Sequence, residues 1–569
     1  MTPFKADYFI GYVNHVSPQY IKIHFPSSTL LSKQIINGEE FYGGLIGNFI
    51  TIEGENNGFI GKLTDIDLSE KERLSLNDKA FQSADFHPTA KAEILLAFDY
   101  FESAKARRSI NTFPNIGAKV YVCPREFIQR YVMQFGTQSK DDIVIDFGKL
   151  TSNGKTDVKI SQQSLFGRHC AVVGTTGGGK SWTVSKLLEG MCKNHTKAII
   201  IDPTGEYQQL SQNKNALTFA FGKDLFFSYK DLTIEDLFFL VKPAERIQAP
   251  KLLEAIRSLK CVALGINQEK DISGNVVNGT LKKQDLNIRE YERFCYSHKI
   301  ELAKRNLAFD ITNLSRQLIC ECVFPTSKEK DKLGCYGGPN ENDVSSCISL
   351  ATRIDNIIQT DILDSMFSFR STPEQEQNLK DVINSFVESN QKEHFLLRIG
   401  FEEIGFESQA REIAANAIAK YLLNLARNNQ FKEQPIVLFL DEAHQFLNKS
   451  VVDNYFASSS LSAFDQIAKE CRKYGLFLCL ATQMPRDIPI GTLSQIGTFI
   501  IHRLINYNDK EAIKQACSSA DADTLSYLPV LGAGEAILSG VDFPMPLSVK
   551  INAPIVPPNS QTPVFRNIQ

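Results

Sequence analysis

Several features that would place a protein in a special class are missing from this sequence. No apolar run reaches the roughly 20 residues that cross a bilayer, and the first residues lack the long apolar core of a signal peptide. None of the 12 cysteines belongs to a C-x-x-C pair, which disfavours a structural zinc site or a disulfide framework. We therefore expect a cytoplasmic protein that does not enter a membrane.

A strong charge of one sign is missing as well. The net charge is −3, whereas a protein that covers its surface with nucleic acid is normally basic. Any nucleic acid must then meet a local basic patch or a channel built by several subunits. The 569 residues favour two to four domains, and 43% hydrophobic with 22% charged residues is ordinary for a soluble globular protein.

The first quarter of the chain has its own pattern. Residues 1–125 hold short alternating segments such as Tyr20–Phe25, separated by Gly, Asn and Pro turns, and this pattern is typical of a small β-barrel. Residues 126–164 are predicted to be a linker segment, helical at first and strand-like near Ile143.

From residue 165 onward, apolar strands alternate with helices, which predicts an α/β fold with a mainly parallel sheet. We assign residues 165–234 and 391–569 to this core, and residues 235–390, where helical stretches dominate, to an inserted helical subdomain. Ligands in open α/β sheets bind outside the carboxyl ends of strands, so several strand ends are expected to converge on one site. The predicted strands span residues 170–173, 198–201, 436–440, 476–480 and 498–501.

The first strand of this core ends in a complete phosphate-loop motif. Residues 174–181 read Gly-Thr-Thr-Gly-Gly-Gly-Lys-Ser and satisfy the pattern G-x-x-x-x-G-K-[ST]. Successive backbone N–H groups curl around phosphates, Lys180 supplies a positive charge, and Ser181 offers a hydroxyl to Mg²⁺. We expect a nucleoside triphosphate to contact the residues Thr176, Gly177, Gly178, Gly179, Lys180, Ser181 and Trp182.

Two carboxylates follow another fully apolar strand. Residues 436–440 are Ile-Val-Leu-Phe-Leu, and Asp441 and Glu442 come directly after them. Asp441 is the candidate metal ligand, and Glu442 is the candidate acceptor of a proton from an attacking water, since phosphoryl transfer depends on positioning and charge stabilisation. The alternative is a solvated strand end that happens to be acidic.

Four further polar positions are candidates for the site, and three of them have two interpretations. Gln483, after the strand at residues 476–480, either senses a γ-phosphate or caps a loop. Arg472 is either an arginine finger that reaches a neighbouring subunit or an ordinary surface arginine. Asp202 is a candidate for nucleotide binding and Glu206 for catalysis, in Ile-Ile-Ile-Asp-Pro-Thr-Gly-Glu-Tyr, where they would organise water or the outer shell of the metal. The alternative for Asp202 is that it begins the turn that Pro203 and Gly205 demand.

Taken together, these motifs resemble those of the HerA family of hexameric DNA translocases, which are kin of FtsK-type motors. The likeness also includes Arg-Lys-Tyr-Gly at 472–475, Ala-Thr-Gln-Met-Pro-Arg-Asp-Ile-Pro at 481–489, and Gly-Glu-Ala-Ile-Leu-Ser-Gly at 534–540. The resemblance implies a RecA-like P-loop ATPase core behind an N-terminal barrel, with ATP and Mg²⁺ as cofactors.

By motif position, the resemblance also implies roles for individual residues. It puts phosphate binding on Lys180 and Ser181, metal on Asp441, water activation on Glu442 and γ-phosphate sensing on Gln483. Arg472 matches an arginine of the family that is discussed as contacting nucleotide.

The resemblance further implies a homohexamer around double-stranded DNA. It implies an effector partner, a nuclease or a sirtuin-like NADase, docked on the barrel and acting in anti-phage defence or DNA end processing. The alternative is an ATP-controlled ring scaffold that activates its effector without processive movement. Conjugative coupling or membrane pumping is disfavoured by the lack of a membrane anchor. The loop 444–460, with Lys449, is a candidate for contact with DNA phosphates, although a loop lysine is usually only solvated.

Overall fold

We describe the fold from a computed structural model of the chain. It describes residues 3–18, 20–36, 38–69, 85–100, 106–107, 112–133, 135–137, 139, 141–152, 154–269, 272–370, 376–388, 393–405, 409–447, 462–517 and 525–560. The chain forms two compact units. The first unit holds residues 1–196, 477–486 and 490–558, and the second unit holds residues 197–476, 487–489 and 559–569.

The secondary structure is numbered in chain order over the described residues. The strands are β1 (Phe9–Val16), β2 (Ile21–His24), β3 (Lys33–Ile36), β4 (Glu39–Tyr42), β5 (Phe49–Glu53), β6 (Asn57–Asp67), β7 (Thr89–Asp99), β8 (Ala106–Arg107), β9 (Lys119–Val122), β10 (Val144–Leu150), β11 (Asp157–Ser161), β12 (Cys170–Val173), β13 (Lys197–Asp202), β14 (Ala216–Ala220), β15 (Leu225–Phe226), β16 (Val276–Val277), β17 (Thr280–Leu281), β18 (Gln377–Asn378), β19 (Leu396–Gly400), β20 (Ile436–Leu440), β21 (Leu476–Thr482), β22 (Thr498–Ile501), β23 (Glu535–Gly540) and β24 (Leu547–Ile551).

The helices are numbered in the same way. They are α1 (Arg125–Val132), α2 (Gln162–Phe166), α3 (Lys180–Lys193), α4 (Ile234–Val241), α5 (Gln248–Ala263), α6 (Ile288–Ser297), α7 (Lys299–Ala303), α8 (Leu314–Cys320), α9 (Glu341–Gln359), α10 (Asp361–Phe367), α11 (Leu379–Glu388), α12 (Ala410–Arg427), α13 (Ala463–Glu470), α14 (Ile490–Leu493) and α15 (Tyr507–Ala516). In the part of the chain that is described, none of these helices has the length and apolar character of a membrane span.

The N-terminal part of the first unit is a small barrel, as the alternating segments predicted. Its strands run in the order β2-β1-β9-β5-β6-β7-β8, and an extra pairing of β2 with β7 closes six of them into a ring. Alternate residues such as Ile21 and Ile23 point into the core and are fully buried. Gly11 permits a close approach of β1 to β2, because a Cβ there would lie 2.5 Å from the carbonyl oxygen of His24.

The rest of the first unit carries seven strands of sheet, in the order β11-β10-β24-β23-β22-β12-β21. β12 lies between β21 and β22 and is parallel to both, whereas β22, β23, β24, β10 and β11 pair antiparallel in succession. The segment predicted as a linker, residues 126–164, thus supplies two strands to this sheet rather than only a connection.

The second unit carries four parallel strands in the order β20-β13-β19-β14. All residues of β13, β19 and β20 are buried, which explains why their sequences are mainly apolar and do not alternate with polar residues. Helices α4 to α11, the short strand pair β16–β17 and strand β18 occupy most of residues 234–388, where the sequence predicted a helical insertion.

Candidate active site

The phosphate-loop motif of the first unit lies between β12 and α3. Gly177 and Gly179 have φ angles of +72° and +112°, which favour glycine. A Cβ on Gly174 would lie 2.5 Å from the Cβ of His502, so this glycine is required by a close contact. Lys180 is the first residue of α3 and is 6% exposed. The loop therefore presents its backbone at a helix N-terminus, where anions are favoured.

Gln483 meets this loop, as the sequence predicted from strand ends. β21 pairs with β12 in parallel, and the residues that follow the two strands come together at one edge of the sheet. The hydroxyl of Thr176 donates a hydrogen bond of 2.5 Å to Oε1 of Gln483, and the N–H of Gly174 donates to the carbonyl of Thr482 at 3.3 Å. The amide is thus held against the loop itself.

His502 is a residue of this site that the sequence motifs did not reveal. It follows β22, is fully buried, and lies beneath the phosphate loop. Its Nδ1–H donates to the carbonyl of Glu535 at 2.9 Å, and its Nε2 lies 2.8 Å from the hydroxyl of Thr183 on α3. Burial, together with the nearby charge of Lys180, lowers the pKa of His502 to about 4. The imidazole is therefore neutral at pH 7 and ties the loop and α3 to β22 and β23.

The loop also contacts the start of β23. The N–H of Gly534 donates to the carbonyl of Gly178 at 3.1 Å, and a Cβ on Gly179 would lie only 3.0 Å from the Cα of Gly534. The ammonium of Lys550 on β24 in turn donates to the carbonyl of Ala533. The antiparallel pair β23–β24 thus supports the loop from one side.

In the second unit, Asp441 and Glu442 follow β20 as expected. Their exposed fractions are 3% and 7%, so they are not a solvated acidic strand end. Glu442 has φ +43° and ψ +46°, a left-handed backbone that costs a glutamate on the order of 1–3 kcal/mol and is often found at functional sites. Its Oε2 lies 3.3 Å from Nδ1 of His444, a residue to which the sequence assigned no role.

Asp441 belongs to a cluster of negative charge. Burial, followed by the charges of Glu442, Asp202 and Glu206, raises the pKa of the Asp441 carboxyl well above its usual value. A divalent cation would offset this repulsion, and the carboxylate oxygens are ligands that such a cation prefers. Among the described residues, no group of three His, Cys, Asp or Glu side chains forms a ready-made metal site.

Asp202 stabilises the turn that follows it, which is one of the two roles considered from the sequence. Its Oδ1 accepts hydrogen bonds from the N–H groups of Gly205 and Glu206, at 2.9 and 3.2 Å, and its Oδ2 accepts from Tyr207 at 3.0 Å. The guanidinium of Arg398 on β19 pairs with Oδ2 at 2.8 Å. A direct contact between Asp202 and a nucleotide stays a prediction, whereas its role in fixing the position of Glu206 is visible.

Arg398 was not identified from the sequence, although a lone arginine within an apolar strand is a signal for a buried ion pair. It is 1% exposed and also pairs with Glu402 at 2.8 Å. Its charge is therefore compensated by two carboxylates, as a buried cation requires.

The remaining predicted positions lie at the surface or outside the described residues. Arg472 is exposed on a short turn, Cys471–Tyr474, before β21, which suits either of its two interpretations. In the loop 444–460, residues 448–460 lie outside the described part, and Lys449 is one of them.

The chain matches one family of known proteins over much of its length. Residues 145–333 match the central domain of helicase HerA, and residues 424–567 match the HerA-like C-terminal domain, so that the two matches cover more than half of the chain. A probable helicase of Methanocaldococcus jannaschii is 26% identical over 440 residues, which cover 73% of each chain.

Two other known proteins are similar to the chain at lower sequence identity. The DNA double-strand break repair helicase HerA of Pyrococcus furiosus is 23% identical over 414 residues, which cover 72% of this chain and 69% of the relative. Among solved structures, a bacterial conjugative coupling protein, TrwBdeltaN70, has 14% identity and a TM-score of 0.44 over 78% of this chain and 94% of its own. On the two domain matches, the chain belongs to the HerA family of ATPases.

Proposed function

We propose that this protein hydrolyses ATP to move along or unwind double-stranded DNA. The observation that carries the proposal is the phosphate loop, whose positive-φ glycines and buried Lys180 open α3 in a chain of the HerA family. Curated relatives of the chain are named as DNA double-strand break repair helicases, and this supports DNA as the track.

Each candidate residue has its own role in the hydrolysis of ATP. The backbone N–H groups from Thr176 to Trp182 cradle the phosphates, and Lys180 balances their charge. Ser181 and Asp441 would hold Mg²⁺, which neutralises charge on the terminal phosphates when it is bound.

Glu442 accepts the proton of the attacking water, and its strained backbone fixes the carboxylate in place. Gln483 reports the γ-phosphate to the loop through Thr176, and Asp202 holds the turn that carries Glu206 near the acidic cluster. Arg472 stabilises charge in the site of a neighbouring subunit.

The protein works as a homohexamer around the duplex, with an effector docked on the barrel. We infer this assembly from the family resemblance of the motifs, together with the exposed position of Arg472. The effector is a nuclease or a sirtuin-like NADase, and the setting is anti-phage defence or DNA end processing. The second candidate is a ring scaffold whose ATPase controls assembly and activates the effector without processive movement.

Two point variants test the catalytic assignments. Lys180→Ala should abolish nucleotide binding, whereas Glu442→Ala should bind ATP and not turn it over, with both steps measured by fluorescent-nucleotide titration and phosphate release. Lys193→Ala is the matched control, since Lys193 is an exposed lysine of the same helix and forms an ion pair with Glu189, one helical turn away. Wild-type turnover in either Lys180→Ala or Glu442→Ala would refute the site.

A translocation assay separates the motor from the scaffold. The motor should displace streptavidin from a biotinylated duplex in an ATP-dependent way, and its ATPase rate should rise when duplex DNA is added. A scaffold should hydrolyse ATP and assemble with its effector while leaving the streptavidin bound.

A further inference from the structure

Two cysteine thiols are in contact inside the helical part of the second unit. The Sγ atoms of Cys261 on α5 and Cys295 on α6 are 3.7 Å apart, and the two residues are 0% and 3% exposed. They belong to a hydrophobic cluster that joins α5, α6 and β17. Neither residue is near the phosphate loop in sequence, and the proposed motor reaction does not use them.

The sulfur of Cys295 has a thiol and a cation nearby. The thiol of Cys261 contacts it at 3.7 Å, and either sulfur can donate in this contact, while the charge of Arg257 and the hydroxyl of Tyr291 favour the anionic form of Cys295. Arg257 precedes Cys261 by four residues and Tyr291 precedes Cys295 by four, so each pair shares one face of its helix. An anionic sulfur can accept several hydrogen bonds, so this arrangement suits a thiolate better than a thiol.

A buried ammonium group adds to the same charge pattern. Lys283 is 4% exposed, its Nζ lies 3.4 Å from the ring centroid of Tyr291, and its ion-pair distance to Glu321 is 3.7 Å. The hydrogen bond from Cys261, followed by the charges of Arg257 and Lys283, lowers the pKa of Cys295, while the same thiol contact raises the pKa of Cys261. The sulfur of Cys295 is therefore the nucleophile, and the thiol of Cys261 is the proton donor.

We propose that Cys261 and Cys295 are a redox-active pair that hydroperoxides convert into an intramolecular disulfide. The thiolate sulfur of Cys295 attacks one peroxide oxygen, the O–O bond breaks, and hydroxide leaves, so that Cys295 becomes a sulfenic acid. Cys261 then loses its proton, its sulfur attacks the sulfenic sulfur, the S–O bond breaks and water leaves. In sum, two thiols and one hydrogen peroxide give one disulfide and two waters.

The separation of the two sulfurs suits this reaction. A disulfide needs a sulfur separation of about 2.05 Å, so the two atoms must approach by only about 1.7 Å from their contact at 3.7 Å. Arg257, whose charge acts on the Cys295 sulfur, is exposed, whereas Cys295 itself is 3% exposed.

The chain offers an internal control. Cys170 and Cys479 are register partners on the parallel strands β12 and β21, and both are fully buried. Ala171, Leu478 and Leu480 flank them along the strands, and these three apolar residues are 0% exposed. These two thiols should therefore stay reduced at peroxide concentrations that oxidise Cys261 and Cys295.

The test is a peroxide titration of the full-length protein, followed by alkylation of free thiols, proteolysis and mass spectrometry. A peptide linking Cys261 to Cys295 should appear first, with 2 Da less than the two free peptides, and dithiothreitol should remove it. In the Cys261→Ser variant, dimedone should label Cys295 as a sulfenic acid. Arg257→Gln should slow oxidation on the order of tenfold, because it lowers the thiolate fraction.

Three outcomes would overturn the proposal. They are free thiols at 261 and 295 after Cys170 and Cys479 have been oxidised, a cross-link from Cys261 to a different cysteine, and unchanged kinetics in Arg257→Gln. The wild-type mapping needs no variant to fold, and it does not depend on whether the protein moves on DNA.

Discussion

His502 gives a quantitative prediction, because it is a fully buried imidazole next to a lysine. Its pKa falls from 6.5 to about 4 on folding, so between these pH values the unfolded chain binds the extra proton and the folded chain does not. The contribution of His502 to stability is therefore complete above pH 6.5 and is lost as the pH falls towards 4. At pH 5 the loss amounts to about 2 kcal/mol of unfolding free energy.

The assay is urea unfolding at pH 7 and at pH 5, followed by the fluorescence of Trp182. This is the only tryptophan of the chain and lies on α3, so it reports on the unit that contains His502. Wild type should lose about 2 kcal/mol more than His502→Gln between the two pH values, since glutamine does not titrate. Other groups titrate in both proteins and cancel in the difference.

An exposed histidine provides the control for this measurement. His15→Gln, in β1, should show the same pH dependence as wild type. If wild type and His502→Gln lose equal stability between pH 7 and pH 5, the imidazole is not held neutral beneath the loop and the reasoning fails.

Three other predictions concern the remaining contacts of the site. Arg398→Met leaves the buried carboxylate of Asp202 without its cation and should cost about 3–5 kcal/mol, seen as a lower thermal midpoint that Asp202→Asn partly restores; an unchanged midpoint would contradict the buried pair. Thr176→Val removes the hydroxyl that binds Gln483, so it should lower ATP turnover as much as Gln483→Ala does, and the double variant should be no worse; additive losses would show independent roles. Arg472→Ala subunits mixed with Lys180→Ala subunits should regain part of the ATPase activity, whereas no rescue would count against a role across subunits.

Much of the sheet was predictable because its strands are buried on both faces. The runs at 170–173, 436–440 and 498–501 coincide with β12, β20 and β22, and the motifs after them lie at the carboxyl ends of parallel strands. The barrel was predictable for a different reason, since strands such as β2 alternate buried and exposed residues and so does their sequence.

The supporting residues were harder to predict, because their role depends on partners far away in sequence. Arg398 stands in an apolar run, and its partner Asp202 lies 196 residues earlier. His502 follows an apolar strand as the other site residues do, which was a usable signal, but its contacts with Thr183 and Glu535 exist only after the strands have assembled. A sequence motif identifies residues that contact phosphate, but it does not identify the distant residues that stabilise the conformation of the motif.

The distance between Thr183 and His502, 319 residues, has a consequence for synthesis of the protein on the ribosome. At typical translation speeds, roughly 15–60 s separate the emergence of the two residues. During that interval the nascent chain displays the whole Gly-Lys-Ser motif without the histidine beneath it or the Gly534 contact beside it. A truncated translation product that ends before residue 502 therefore contains the motif but lacks His502 and Gly534, so it cannot form the phosphate-loop contacts described above.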